Sequence, residues 1–395
     1  DGAPVINNSN MYIYYYDMVK DMTIPLCSKI DCDHRTEECE AYMSEDACLG
    51  NKIWYHNQRL YMIERTTEKD ILVSYDKTMR DKKEEKTLSI NGLSVNKYDN
   101  SACLTNGKLY YLVSGDNQIY LCAVPIDTDE QAYIVKQYAS EYHYYERLSL
   151  YPIEDNLYVN WVSGISADEY RYYTEQIDVS TDEVVIQCNM NEKYPEIAST
   201  IIYTEWCRQS RFDSDGNIYF ACVGDNKYIV RKLNISTGDI KDIYSQEMQH
   251  EKDYRYVSLK NYDGKYLYIY KNVNGEALAE KSIEEKRKKY DNNIYILDTD
   301  GNIKDTVTLN GTDDTAGGNI PGEFYGGDDR CLLIVFSKYG IKGLELSEEK
   351  TALRAELIEE SRKNKKGSPV VSVSAILDKS QIGSGTITLE QITPE

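Results

Sequence analysis

The chain has 395 residues, of which 45 are lysine or arginine and 66 are aspartate or glutamate, so its formal net charge is -21 at pH 7. Negative charge of this size repels phosphate backbones and anionic lipid, which argues against nucleic acid as a partner. Hydrophobic residues make up 41% of the sequence, and no apolar stretch reaches the length of a membrane-spanning helix. We therefore expect a folded soluble protein and neither a disordered chain nor a transmembrane one.

A short phrase recurs seven times: a turn residue, then an aliphatic residue and a tyrosine that open an apolar run. It begins as SNMYIYYY at Ser9 and ends as the degenerate DDRCLLIVF at Asp328. The equivalent positions recur at intervals of about fifty residues, which is typical of an array of supersecondary units. We take these positions to be Ile13, Leu60, Leu109, Leu157, Ile218, Tyr266 and Leu332.

Each unit has the pattern of a four-stranded antiparallel meander. The third unit contains the β-rich segments SACLT, NGKLYYLVS, NQIYLCAVPID and EQAYIVKQY, separated by turn residues. A single sheet of this kind cannot bury two apolar faces, whereas a ring of sheets packed face to face buries both. The sequence therefore predicts an all-β fold, a β-propeller that uses residues 1–395 as one domain. An open β-solenoid fits less well because its rungs repeat at shorter intervals.

The seven phrases predict seven four-stranded blades, although six or eight blades also fit the spacing. The last unit supplies three obvious strands, in RCLLIVFS, PVVSVSAIL and GTITLEQI. We therefore expect the last blade to borrow or lend a strand where the ring closes.

Four cysteines lie close together between residues 27 and 48 of the first unit. Cys27, Cys32, His34 and Cys39 offer three soft thiolates and one imidazole, which is a sufficient tetrahedral set for a structural zinc ion. Their spacing, C-x4-C-x-H-x4-C, differs from the common C-x2-C signatures, and Cys48 adds a fourth sulfur. Two disulfides among the four cysteines are an equally good interpretation in an exported protein. In both cases we predict a staple for the first blade and no other cofactor.

Four stretches of chain are additional to the repeating unit, at residues 189–205, 276–291, 311–327 and 338–367. Each follows the second or fourth strand of its unit, and in a meander these connections emerge on one face of the ring. The stretches 276–291 and 338–367 are predicted to be helical inserts in the last two blades. Binding residues tend to lie on loops held by a rigid scaffold, so this insert-bearing face is the predicted binding surface. A role in capping the core fits the two helical inserts equally well.

Tyrosine is the dominant aromatic residue, with 37 copies against 4 phenylalanines and 3 tryptophans. A phenol ring packs between sheets while its hydroxyl reaches a turn or water, so we predict structural roles for most of the tyrosines. The alternative role, stacking on a sugar, would use exposed clusters such as EYHYYE at residues 141–146 or EYRYY at residues 169–173.

Two strings, DSDGN at residues 213–217 and DTDGN at residues 298–302, resemble the start of a calcium loop. The distal glutamate of such a loop is missing, and both strings fall where the repeat needs a hairpin, so we predict turns. The sequence contains no phosphate-binding, nucleophile-elbow or metalloprotease motif, and we assign no catalytic residue.

These features favour a binding or interaction propeller whose ligand is a protein or a glycan, acting as a monomer. The alternative is a carbohydrate-active enzyme, a glycosidase or lyase, in which separated carboxylates meet in the central channel as acid and base. The two hypotheses differ in whether the channel holds a carboxylate pair.

The string PLCSKIDCDHRTEECEAY after the IYYYD strand, the tyrosine-rich units and the terminal AILDKSQIGSGTITLEQI resemble the exported TolB-like propeller lipoproteins of Gram-positive anaerobes. The resemblance extends over essentially the whole chain. It implies a β-propeller and an extracytoplasmic, cell-surface address, with the lipid-bearing cysteine of the family expected upstream of Asp1. The chain opens on the polar stretch DGAPVINNSN, which is not a signal peptide. The resemblance implies no activity.

Overall fold

The computed structural model describes residues 2–7, 12–17, 22–27, 29, 31–32, 38–42, 52–66, 68–77, 81–96, 100–115, 118–139, 147–164, 169–201, 206–207, 209–247, 257–271, 293–308, 320–325, 329–337 and 372–392. Within these ranges the chain forms seven antiparallel sheets whose strands follow chain order from one edge to the other. We number the sheets 1 to 7 from the N-terminus. The predicted all-β propeller architecture is confirmed.

The first four sheets are built as follows. Sheet 1 contains β1 (Gly2–Asn7), β2 (Tyr12–Asp17) and β3 (Met22–Pro25). Sheet 2 contains β4 (Trp54–His56), β5 (Arg59–Arg65), β6 (Asp70–Asp76) and β7 (Lys83–Thr87). Sheet 3 contains β8 (Ser94–Val95), β9 (Ala102–Thr105), β10 (Lys108–Gly115), β11 (Gln118–Pro125) and β12 (Tyr133–Ala139). Sheet 4 contains β13 (Arg147–Ile153), β14 (Asn156–Gly164), β15 (Tyr170–Asp178) and β16 (Val184–Asn189).

The last three sheets repeat this plan. Sheet 5 contains β17 (Arg211–Phe212), β18 (Asn217–Gly224), β19 (Lys227–Asn234) and β20 (Ile240–Glu247). Sheet 6 contains β21 (Val257–Tyr262), β22 (Leu267–Lys271), β23 (Asn293–Leu297) and β24 (Ile303–Thr308). Sheet 7 contains β25 (Ile320–Tyr325), β26 (Cys331–Ser337), β27 (Ser372–Asp378) and β28 (Leu389–Ile392).

The recurring phrase forms the second strand of each sheet, which is covered on both faces. In β10 five consecutive side chains, Leu109 to Val113, are fully buried. The turn before β10 uses Asn106 and Gly107, both with positive φ, which is the backbone that a tight two-residue hairpin requires. Local turn chemistry and continuous apolar runs therefore cooperate to produce a sheet packed between two others.

Seven apolar clusters lie between consecutive sheets and close the ring. Six of them join sheets 1 and 2 and each following pair as far as sheets 6 and 7. In the seventh cluster, Cys39 and Ala41 of the chain that follows sheet 1 pack against Leu333 and Ile376 of sheet 7. We call this contact between the two ends of the chain the seam.

The predicted number of blades needs correction. Six sheets have four or more strands, and sheet 1 has three described strands, so the structure has six complete blades rather than seven. After β3 the chain enters the cysteine segment, and the Ile13 amide of β2 donates a hydrogen bond of 2.8 Å to the Ala41 carbonyl of that segment. Sheet 3 has a fifth strand because β8 and β9 both pair with β10.

The expectation of a three-stranded last blade is also wrong, because sheet 7 has four strands of its own. Its first strand is Ile320–Tyr325, which lies within the stretch 311–327 that we predicted to be an insert. The sequence IPGEFY contains a proline and a glycine, and both disfavour a strand. A register irregularity between Pro321 and Glu323 accommodates them.

One equivalent position was misassigned by a single residue. In sheet 6 the buried aliphatic residue is Leu267, which pairs with Tyr262, whereas Tyr266 belongs to the turn. The hairpin between β21 and β22 is longer than the two-residue turn before β10, which shifts the phrase by one position.

The extra chain at residues 189–205 forms two short helices, α1 (Met190–Lys193) and α2 (Pro195–Ala198). Met190 and Ala198 are buried in the cluster between sheets 4 and 5, so this insert caps the core. The predicted helical inserts at residues 276–291 and 338–367 lie outside the described residues. Neither described helix has the length and apolar character needed to cross a membrane.

Candidate functional site

The tyrosines of the recurring phrase serve the fold. The described rings are buried between sheets, and the hydroxyls of Tyr110, Tyr219 and Tyr268 donate to carboxylates of turns. The Tyr219 hydroxyl lies 2.7 Å from Asp213 Oδ2, and the Tyr268 hydroxyl lies 2.7 Å from Asp263 Oδ2. Burial, together with these carboxylates, raises the pKa of both phenols. These contacts agree with the structural role predicted for most tyrosines.

Of the two predicted aromatic clusters, the one at residues 169–173 lies within the described residues. Residues 142–145 lie outside the described residues. In the second cluster Tyr172 is buried, and Tyr173 stacks on Trp161 with ring centroids 3.8 Å apart. One face of the Tyr173 ring is therefore covered by the protein itself.

The two strings that resemble calcium loops are turns, as predicted. Asp213 Oδ1 accepts hydrogen bonds from the amides of Asp215 and Asn217, at 3.0 and 2.9 Å. Asp298 makes the same bonds at the next such hairpin, and hydrogen bonds from Asn302 outweigh desolvation there and lower the pKa of the Asp298 carboxyl. Both carboxylates therefore accept hydrogen bonds from amides of their own turns.

Three of the predicted metal ligands lie together. The sulfurs of Cys27, Cys32 and Cys39 are all within 4.8 Å of one another. Cys27 comes two residues after β3 ends, and the loop returns through Cys39, whose carbonyl accepts from the Tyr42 amide at 3.0 Å. We call these three residues the cysteine triad. His34 and Cys48, the other predicted participants, lie outside the described residues.

The surroundings of the triad stabilise the thiolate form of one cysteine, Cys27. Burial opposes ionisation of Cys27, but hydrogen bonds from the backbone of Lys29 and Glu40 and from the other two thiols outweigh it and lower the pKa of Cys27. Burial and the neighbouring sulfurs raise the pKa of Cys39 to about 12. The surroundings therefore favour the thiolate of Cys27 and the thiol of Cys39.

A cavity of about 720 Å³ opens beside the seam. We call it the seam cavity. It is lined by Asp263, Lys265, Tyr266, Asp329, Arg330, Cys331, Ile376, Asp378, Lys379, Ser380 and Glu390. Two of these residues, Cys331 and Ile376, also belong to the cluster that packs against the triad. The cavity and the triad are therefore neighbours.

Both features lie at the same end of the sheets. The cavity is formed by the turns between the first and second strands of sheets 6 and 7 and between the third and fourth strands of sheet 7. Cys27 follows the third strand of sheet 1. In an antiparallel meander these connections emerge at one end, and the predicted insert-bearing face is the other end.

A buried ion pair forms one wall of the cavity. Lys379 Nζ lies 2.8 Å from Asp263 Oδ2, and the two side chains are 10% and 6% exposed. Asp263 also accepts from the amides of Lys265 and Tyr266. Burial opposes ionisation of Asp263, but the Lys379 ammonium and the other donors outweigh it and lower the pKa of this carboxyl. The pair joins sheet 6 to sheet 7.

The predicted carboxylate pair is not found on the described innermost strands. The first strands of the sheets contain one acidic residue, Glu323 in β25. Two of the basic residues at or beside these strands are held by protein acceptors. Lys52 Nζ donates to Asn100 Oδ1 at 3.0 Å, and Arg211 donates to the carbonyl of Lys260 at 2.5 Å.

Sequence reasoning found the triad but missed the cavity. The cysteines and their histidine stand out because four metal-binding residue types crowd into one polar loop. Asp263 and Lys379 gave no comparable signal, because each occupies an ordinary turn and the two are brought together only by the packing of sheets 6 and 7.

No protein-family model matches the sequence, and no curated protein is significantly similar to it. Among solved structures, the chain is similar to a protein from Lactobacillus plantarum, with 11% identity, coverage of 97% of this chain and 92% of that chain, and a TM-score of 0.48. It is also similar to an oligogalacturonate lyase in complex with manganese, with 11% identity, coverage of 82% and 79%, and a TM-score of 0.46. A puromycin-hydrolyzing peptidase of Mycobacterium tuberculosis matches with 9% identity, coverage of 99% and 53%, and a TM-score of 0.48. We infer no function from likenesses at these levels.

Proposed function

We propose that the protein is a binding propeller, and that it takes a polar ligand in the seam cavity. The observation that carries this proposal is the cavity itself. Its volume of about 720 Å³ is within the range of small-molecule and peptide sites. The sequence pointed to the insert-bearing face, and binding there stays a prediction because residues 276–291 and 338–367 lie outside the described residues.

The lining indicates a ligand with groups of both charge signs. Besides the ion pair of Asp263 and Lys379, the lining includes the carboxylates of Asp329, Asp378 and Glu390 and the cations of Lys265 and Arg330. The Tyr266 ring and Ile376 add apolar surface. A peptide segment offers ammonium, carboxylate, amide and apolar groups together, so we propose a peptide of a protein partner rather than a neutral glycan.

The carbohydrate-active enzyme is the weaker alternative. Glycosidases need two carboxyl groups about 5 to 9.5 Å apart. Glu323 is the single acidic residue on the first strands of the described sheets, so these strands do not provide a pair of carboxyl groups. Turnover of any oligosaccharide that is abolished by Glu323→Gln would favour this alternative over the proposed binding function.

The proposal is tested with a library of short zwitterionic peptides and a neutral-oligosaccharide set, read by fluorescence anisotropy at constant ionic strength. We expect peptide ligands whose affinity falls at least tenfold in Arg330→Glu. The matched control is Arg171→Glu, an equally drastic change at an exposed arginine of β15, outside the cavity lining, which should bind as the wild type does. Peptide binding that is unchanged in Arg330→Glu, or binding of oligosaccharides alone, would contradict the proposal.

We also propose an extracytoplasmic address, on the resemblance of the cysteine segment and the tyrosine-rich units to the exported lipoproteins. This address agrees with a binding role towards other surface proteins. Fractionation of the producing cell tests it, because the protein should be accessible to protease added outside intact cells.

A further inference from the structure

The seam joins the two ends of the chain without a shared strand among the described residues. All described strands of sheet 1 come from residues 2–25, and all those of sheet 7 come from residues 320–392. No described strand of one end adds to the sheet of the other end. Among the described residues, apolar side-chain contacts join the two ends of the chain.

The cysteine triad lies at this junction. Cys39 is buried with Ala41 against Leu333 and Ile376 of sheet 7, and Cys27 and Cys32 pack on the same cluster. All three residues come from the loop that follows β3. A bond that fixes this loop would also fix the surface that sheet 1 presents to sheet 7.

The arrangement of the sulfurs suits a metal ion. Tetrahedral zinc holds thiolates at about 2.3 Å, which places ligand sulfurs about 3.8 Å apart. The three sulfurs are mutually within 4.8 Å, so small side-chain rotations bring all of them to one ion. In the alternative of two disulfides, one pair forms within the triad and the third sulfur pairs with Cys48, an arrangement that does not require all three sulfurs to lie within 4.8 Å of one another. Mutual proximity of three sulfurs is therefore accounted for more fully by a metal than by a disulfide.

We propose that Cys27, Cys32 and Cys39 bind one soft divalent cation of the zinc class, and that this ion is a clasp that holds sheet 1 on sheet 7. On binding, the three thiols lose their protons to solvent and the thiolates coordinate the ion. The half-buried positions of Cys27 and Cys32 leave room for a fourth ligand. The proposed metal site does not depend on whether the seam cavity binds a ligand.

The experiment begins with protein purified without chelator or reductant. Metal content is measured by plasma mass spectrometry, and the mass of the denatured chain is compared with that of the sequence. We expect about one zinc per chain and the mass of a fully reduced triad. Cys39→Ser should lower the zinc content at least tenfold, whereas Cys222→Ser should keep it. Cys222 is the matched control because it is a buried cysteine whose sulfur donates to the Ile229 carbonyl, as a serine would.

A second readout does not depend on any variant. Hydrogen exchange of the wild-type protein is compared before and after a strong chelator removes zinc. We expect faster exchange in residues 22–42 and in β26 and β27 of sheet 7, and no change in sheets 4 and 5. A chain without bound metal, a mass deficit that locates a disulfide within the triad, or exchange that chelation does not alter at the seam would overturn the proposal.

Discussion

At the scale of residues, the recurring tyrosine and its carboxylate explain why this chain prefers tyrosine to phenylalanine. The ring fills the space between two sheets, and the hydroxyl donates to the aspartate that shapes a nearby turn. A phenylalanine would pack equally well but would leave the carboxylate with one donor fewer. Each such contact ties the packing of a strand to the conformation of a hairpin.

We predict that Tyr219→Phe lowers the free energy of unfolding by about 1.5 to 3 kcal/mol, the usual range for a hydrogen bond to a charged group. Asp213, the acceptor, is 8% exposed, so water replaces the lost donor poorly. Tyr55→Phe is the control, because this side chain is 64% exposed and should tolerate the change. Urea denaturation compares the three proteins, and equal midpoints would show that the hydroxyl is not needed.

The buried pair of Asp263 and Lys379 makes a second prediction at this scale. Lys379→Met should destabilise the protein by about 3 kcal/mol, because it leaves a buried charge uncompensated. The double variant Asp263→Asn with Lys379→Met should be closer to the wild type. The wild type, the two single variants Asp263→Asn and Lys379→Met, and the double variant form a double-mutant cycle, which is measured by thermal or urea unfolding. If the losses of the single variants add up in the double variant, the two residues do not interact directly.

The same pair predicts a pH dependence. The pKa of Asp263 is lowered in the folded state, so the stability it provides is present above the unfolded pKa of about 3.9 and is lost as the pH falls through the folded value. Asp263→Asn should therefore lose less stability than the wild type as the pH falls below about 5. Unfolding midpoints measured across this interval provide the test. A variant as acid-sensitive as the wild type would assign the acid loss to other carboxylates.

At the scale of elements, close approaches of one turn to the next sheet fix the spacing of the ring. Gly301, in the turn between β23 and β24, has φ of +93°, and a Cβ built there would lie 1.7 Å from the carbonyl oxygen of Ile243 in β20. The glycine thus serves both its own turn and the contact between sheets 5 and 6. The sequence showed the turn, but only the packed structure shows the contact.

We predict that Gly301→Ala destabilises the protein by clearly more than 1 kcal/mol, since both backbone strain and overlap oppose it. Gly264→Ala is a matched control, because Gly264 has φ of +92° and no atom within 4 Å of a built Cβ. The difference between the two variants in calorimetric melting isolates the cost of the overlap. Equal losses would mean that the turn adjusts away from Ile243.

At the scale of the whole molecule, the period of the phrase predicted the ring but not its ends. Six blades follow the plan because each has a hairpin signal and a buried second strand. Sheet 1 departs from it, since the chain after β3 forms the cysteine loop, and β25 was hidden because a proline and a glycine interrupt its sequence. The triad was predictable from one segment, whereas the seam cavity depends on residues that meet only when sheets 6 and 7 pack together.

The most direct test of this account is a crystal structure of the full chain with anomalous data at the zinc edge. We predict that sheet 1 lies between sheets 2 and 7, with one anomalous peak among the sulfurs of Cys27, Cys32 and Cys39 and with Cys39 against Leu333 and Ile376. A ring in which sheet 7 packs directly on sheet 2, or a triad with no metal beside it, would contradict the closure described here.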